Sequence, residues 1–120
     1  MKATICPPAI VIYTDRVPRG FAGVANAFVV RIRPDYRDDL GLLVHGLEHV
    51  RQWWVMPVIS DLLYLFSRRY RLWAEVRAYR KQVDVYPPEH REHYVNAAAR
   101  LLVRNYNLGI CLKKAKRLLA

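Results

Sequence analysis

Cysteine is scarce: Cys6 and Cys111 are the only two in 120 residues. Two thiols so far apart exclude a disulfide framework and a cysteine-built zinc site. A single bridge between them stays open, but two buried thiols in a reducing compartment are the favoured reading. Acidic residues are few, 10 against 20 Lys and Arg, which leaves a net charge of +10. That excess suits anionic partners, whether nucleic acid, cell-wall polymers or a membrane surface, and charge alone does not choose between them. Long apolar runs are missing too. The longest nearly apolar stretch, residues 53–66, is cut by Pro57, Ser60 and Asp61, short of the about 20 residues a spanning helix needs. Lys2, the apolar stretch after it and Ala25-Asn26-Ala27 imitate a signal peptide. Pro7, Pro8, Asp15, Arg16 and Arg19 break its core, so the chain reads as unprocessed and cytoplasmic. There is no Gly-rich phosphate loop, nucleophile elbow or Cys-His pair. Nor is there an internal repeat, linker or low-complexity stretch.

What is present is globular: 53% apolar and 25% charged residues. Two domains would each bury too little, so residues 1–120 read as one. Residues 9–13 are β-branched and bounded by Pro8 and Asp15, and residues 23–33 end on the alternation Val30-Arg31-Ile32-Arg33 of a half-exposed strand. With turn chemistry at residues 16–20 between them, the simplest arrangement is an antiparallel hairpin. Helices follow at residues 37–55, 60–83, 89–105 and 111–119. Asp35, Asp38 and Asp39 favour the first start, Ser60 caps the second, and Pro57 and Tyr86-Pro87-Pro88 mark stops. Ser67 reads as a helix surface residue.

One segment carries chemistry. His45 and His49 lie four apart and therefore one turn apart on the same helix face, a geometry that lets two imidazoles grip one zinc ion. They sit among Leu42, Leu43, Leu47, Val50 and Trp53, where a buried polar side chain needs a partner. Hydrogen-bonded core histidines are the bland alternative. The next helix adds Glu75 on the apolar stripe Leu72, Val76, Tyr79, Val83, and a carboxylate there is costly unless paired or coordinated. Side-by-side packing would complete a His45–His49–Glu75 set, three ligands with an open position, which is the catalytic zinc pattern. A salt bridge from Glu75 to an arginine such as Arg71 is the competing account.

These residues resemble the small gluzincin metallopeptidases. Minimal bacterial and phage-type members read His-Glu-x-x-His-Val-x-Gln and then Glu-x-x-Ala-Tyr. Here His45, His49, Val50 and Gln52 are followed by Glu75, Ala78 and Tyr79. The resemblance spans residues 35–85. It implies a zincin-like α+β fold with two central metal-binding helices, zinc held by His45, His49 and Glu75, and hydrolysis of peptide or protein substrates. The family's general-base glutamate follows the first histidine, and this chain has Gly46 there. Glycine accepts no proton, and within a helix it costs about 1 kcal/mol relative to alanine. On the resemblance, the chain is then a metallopeptidase-like protein with impaired or absent activity. Glu48 is a substitute base, because positions 46 and 48 flank the His pair symmetrically, each about 80° from its midline. His45-Gly46-Leu47-Glu48-His49 also matches the inverted motif His-x-x-Glu-His. Tyr79 is either a core residue or a donor to a ligand or oxyanion.

Weaker features complete the reading. His90 and His93 suit a solvated face. Basic clusters at Arg68-Arg69-Arg71, Arg77-Arg80-Lys81 and Lys113-Lys114-Lys116-Arg117, with Tyr70, Trp73 and Tyr79 interleaved in the first two, support a rival function. That rival is a nucleic-acid-binding module whose binding would be electrostatic and salt-sensitive. A third reading is a phage-type interaction protein that keeps zinc as a structural clip.

Overall fold

The computed structural model describes residues 8–120. Its elements run β1 (Ile10–Tyr13), β2 (Gly23–Asn26), β3 (Val29–Ile32), α1 (Leu40–Val55), α2 (Ile59–Phe66), α3 (Arg68–Val85), α4 (Arg91–Asn105) and α5 (Leu112–Leu119). Short 3₁₀ turns lie at Pro34–Tyr36 and Pro88–His90. The protein is α+β.

The sheet order is β1-β3-β2, with β3 central, parallel to β1 and antiparallel to β2. This corrects the expected two-stranded hairpin. The segment read as one strand folds back on itself at Ala27-Phe28, with Asn26 opposite Val29. Ala27 takes the left-handed conformation, φ 53°, without the glycine that usually marks such a turn. The alternation along β3 sorts its faces. Val30 and Ile32 are buried against Val50, Leu42 and Leu43 of α1. Arg33, on the other face, donates to the carbonyls of Phe21 and Val17 at 2.8 and 2.7 Å, and so ties down the loop between β1 and β2.

Asp39 starts α1 by accepting from the Leu42 N–H at 3.0 Å, and the helix ends two residues before Pro57. The long second helix is in fact two. Ser67, expected on a helix surface, is the N-cap of α3 and accepts from the Tyr70 N–H at 3.1 Å. Arg71 donates to the Tyr64 carbonyl at 2.7 Å, one of the carbonyls left over where α2 ends. Ser60, expected as a cap, is buried inside α2, and Val58 occupies the cap position with φ 68°. Glu89 falls in the 3₁₀ turn before α4, because Pro87 and Pro88 set the backbone there. Cys111 is exposed at the start of α5, which corrects the expectation of two buried thiols; Cys6 lies outside the described residues.

Among the described residues two apolar cores result. One joins α3, α4 and α5 through Tyr79, Val83, Ala99, Leu102 and Leu119. The other joins the sheet to α1. Between them α1 packs along α3, whose Ala74 and Ala78 are fully buried. Small side chains at those positions let the two helices come close. Among the described residues no helix is long and apolar enough to cross a membrane.

Candidate metal centre

The α1–α3 contact brings the His pair and Glu75 together. His45 Nε2 and His49 Nε2 are 3.2 Å apart. Glu75 Oε1 is 3.3 Å from the first, and Oε2 is 3.2 Å from the second. Zinc–ligand bonds of about 2.0–2.1 Å in a tetrahedron put neighbouring ligand atoms about 3.3–3.4 Å apart. The distance between the two imidazole nitrogens, and that from each to its own nearer Glu75 oxygen, are close to that spacing. These three residues form a group that could hold a metal ion.

The outer ring nitrogens explain the orientation of both imidazoles. Gln82 Nε2 donates to the Tyr86 hydroxyl at 3.1 Å, and that hydroxyl donates to Asp39 Oδ1 at 2.7 Å. A carboxylate only accepts, so the chain runs one way. Gln82 Oε1 is left facing His45 Nδ1 at 2.9 Å. Gln52 repeats the device: its Nε2 donates to Glu48 Oε2 at 2.9 Å and to the Ala74 carbonyl at 3.2 Å. Its Oε1 then faces His49 Nδ1 at 3.1 Å. Both Nδ1 atoms are therefore donors, so in the neutral rings both Nε2 lone pairs point inward at Glu75. Among the described residues Glu75 Oε1 is correspondingly buried without a hydrogen-bond partner, its near neighbour being His45 Nε2 at 3.3 Å. Three inward acceptors with one orphaned oxygen fit a bound cation.

Electrostatics agree with that fit. Burial would raise the pKa of Glu75, but His49 and His45 outweigh it and hold the carboxyl well below its usual range. Burial would lower the pKa of His49, but Glu75 outweighs it and raises that pKa. Positive charge is thus favoured inside the triangle. The Tyr64 hydroxyl donates to Glu75 Oε2; its pKa is pushed up by burial and then by the carboxylate. Tyr64 was not legible as a site residue, since it sits in the most apolar stretch of the chain.

Gly46 has a packing reason. A Cβ there would stand 2.7 Å from Val30 Cγ1, so α1 meets β3 at a distance only glycine permits. Gly41 serves similarly, since a Cβ would fall 2.6 Å from the Tyr86 hydroxyl in the chain that orients His45. Glu48 corrects the substitute-base reading. Its side chain is fully buried on the other flank and is held by Arg51 at 2.8 Å, Lys81 at 2.6 Å and Gln52. Burial would raise its pKa, but those hydrogen bonds outweigh it and bring it to about 2. Glu48 orients Gln52, and three cations engage it. Tyr79 is a core residue: it is buried, its ring is edge-on to His45, and its hydroxyl shares a 2.8 Å hydrogen bond with Tyr106.

The triangle opens onto a cleft of about 1310 Å³, lined by Gly46, Val30, Tyr64, Tyr106 and the residues of β2. His90 and His93 are exposed, as a solvated face requires. The basic clusters are partly consumed. Arg71 holds the Tyr106 carbonyl at 2.8 Å, and Arg77 and Lys81 engage Glu48. No family model matches the chain, and comparison with curated proteins and with solved structures returns no match.

Proposed function

We propose that this chain is a zinc-binding, metallopeptidase-like protein of zincin-like fold whose hydrolytic step is impaired because Gly46 stands in place of the general base. The observation that carries this reading is the triangle itself. Two imidazoles are pre-set with their lone pairs inward, at tetrahedral spacing, against a buried and orphaned carboxylate oxygen. His45, His49 and Glu75 would hold the ion. Bound zinc would acidify a water and polarise a scissile carbonyl.

The other roles fall to the chain. Gln82 and Gln52 fix the imidazole tautomers, and Tyr64 fixes the Glu75 carboxylate. β2 is an edge strand along the cleft, and an edge strand suits pairing with an extended peptide. Proton transfer is the weak point. No carboxylate stands at position 46, and Glu48 is turned away and neutralised. The rival nucleic-acid reading draws less support, because Arg71, Arg77 and Lys81 already serve internal partners. Elemental analysis paired with a peptidase assay tests the proposal. We expect about one zinc per chain, lost on replacing His45, His49 or Glu75 with alanine, and little or no hydrolysis. Absence of zinc from the purified and zinc-reconstituted chain would overturn it.

A further inference from the structure

A second feature of the surface lies outside the metal centre. At about 100° per residue, Ile59, Leu62 and Phe66 fall within about 60° of one another on α2, with Leu65 at their flank. Their exposures are 55% for Ile59, 51% for Leu62, 66% for Leu65 and 83% for Phe66. Val58 extends the face at 63% exposure, and it does so from a left-handed backbone, φ 68°, that a β-branched residue rarely adopts. The opposite side of α2 is committed to the fold through buried Ser60 and through Tyr64, which reaches Glu75. An apolar ridge of this kind, on a helix whose other side is anchored, asks for a partner.

The charge around the ridge says which. Arg68 and Arg69 follow Phe66 after Ser67, are exposed and make no ion pair among the described residues. Gly109, on the approach to α5, lies against the Arg68 guanidinium. The helix it leads to exposes Lys113, Lys114 and Arg117, and no acidic residue follows Glu92 in the chain. The one acid on α2, Asp61, accepts from the Trp53 indole at 3.0 Å. We propose that α2 and the turn before it dock this protein onto an anionic lipid bilayer, with the apolar ridge entering the headgroup–acyl boundary and the flanking arginines meeting the lipid phosphates. Apolar area and basic residues together are what interfacial binding requires. A second copy of the chain suits the ridge less well, because it would bring another +10 charge to the same contact. The inference does not rest on the metal reading.

Flotation of the full chain with vesicles tests it, using phosphatidylcholine alone and phosphatidylcholine doped with phosphatidylglycerol. The protein should float with the doped vesicles and remain behind with the neutral ones. Leu65→Ser with Phe66→Ser should lower partitioning at least about tenfold. Arg68→Glu with Arg69→Glu should do likewise. Circular dichroism should be unchanged in both, and if the serine pair does not fold, Phe66→Ser alone takes its place. Three results would overturn the proposal. The first is no flotation with doped vesicles at low salt. The second is flotation that the serine variant retains in full. The third is a dimer in sedimentation that the serine variant abolishes while vesicle binding is absent, which would assign the ridge to self-association.

Discussion

The Nε2 atoms of His45 and His49 stand 3.2 Å apart while each Nδ1 is turned to a glutamine oxygen. Two lone pairs at that distance repel unless a proton or a metal lies between them, so the orienting glutamines hold the pair ready for a cation. Gln82→Leu and Gln52→Leu should each weaken zinc binding by about 10–100-fold without removing a ligand. Tyr86→Phe cuts the Asp39–Gln82 chain one step farther out and should cost less. Competition against a chelating dye reads all three. Equal affinity in parent and variants would separate the glutamines from metal binding.

Gly46 makes a prediction that runs against helix propensity. Alanine inside a helix is normally better than glycine by about 1 kcal/mol. Here the added methyl meets Val30 Cγ1 at 2.7 Å, and overpacking of that kind costs about 1–3 kcal/mol. Gly46→Ala should therefore lower the denaturation midpoint. Val30→Ala in the same chain should recover part of the loss, a coupling that a double-mutant cycle measures. A Gly46→Ala protein more stable than the parent would show that the helix and strand can move apart freely.

Glu48 sets an acid limb of stability. Its folded pKa of about 2 lies below the ordinary 4.5, so the folded state favours the ionised form. That contribution is complete above about pH 4.5 and is lost as pH falls toward about 2, with an upper bound of about 3 kcal/mol. Glu48→Gln should flatten this limb in thermal melts of the chelator-treated protein. An unchanged slope between those pH values would deny Glu48 its ionised, cation-bound state.

Much of this site is written in local spacing. The four-residue step from His45 to His49 and the Pro57 stop act within a few positions, and the structure places these residues as the spacing predicts. Helix α1, however, starts at Leu40 instead of Arg37, with Asp39, one of three candidate starts, as its cap. Glu75 was visible as a carboxylate on an apolar stripe. What escaped is non-local. His45 meets Gln82 across 37 positions, and Glu48 meets Lys81 across 33, so no window of sequence shows either pairing. The break between α2 and α3 carries no proline or glycine. It depends on the Ser67 side chain and on Arg71 collecting the Tyr64 carbonyl. The parallel pairing of β1 with β3 is likewise set across the chain, and the turn at Ala27 lacks the residue that would announce it.

Catalysis provides the sharpest separation of roles, because three residues hold the ion and a different group must move the proton. Gly46→Glu alone should fail, since the new Cβ meets Val30 before the carboxylate can reach the cleft. Gly46→Glu with Val30→Ala removes that obstacle at the same contact. The double variant should keep the zinc content of the parent and raise peptide hydrolysis by about 10²–10⁴-fold, the usual contribution of a positioned base. Glu48→Gln in the double variant should lower hydrolysis only in proportion to any zinc lost through Gln52, because Glu48 faces Arg51 and Lys81 instead of the cleft. Rates and zinc content measured on the same preparations decide the matter. A zinc-loaded double variant no faster than the parent would remove position 46 from the mechanism, and loss of activity per bound zinc in Glu48→Gln would return the base to the other flank of α1.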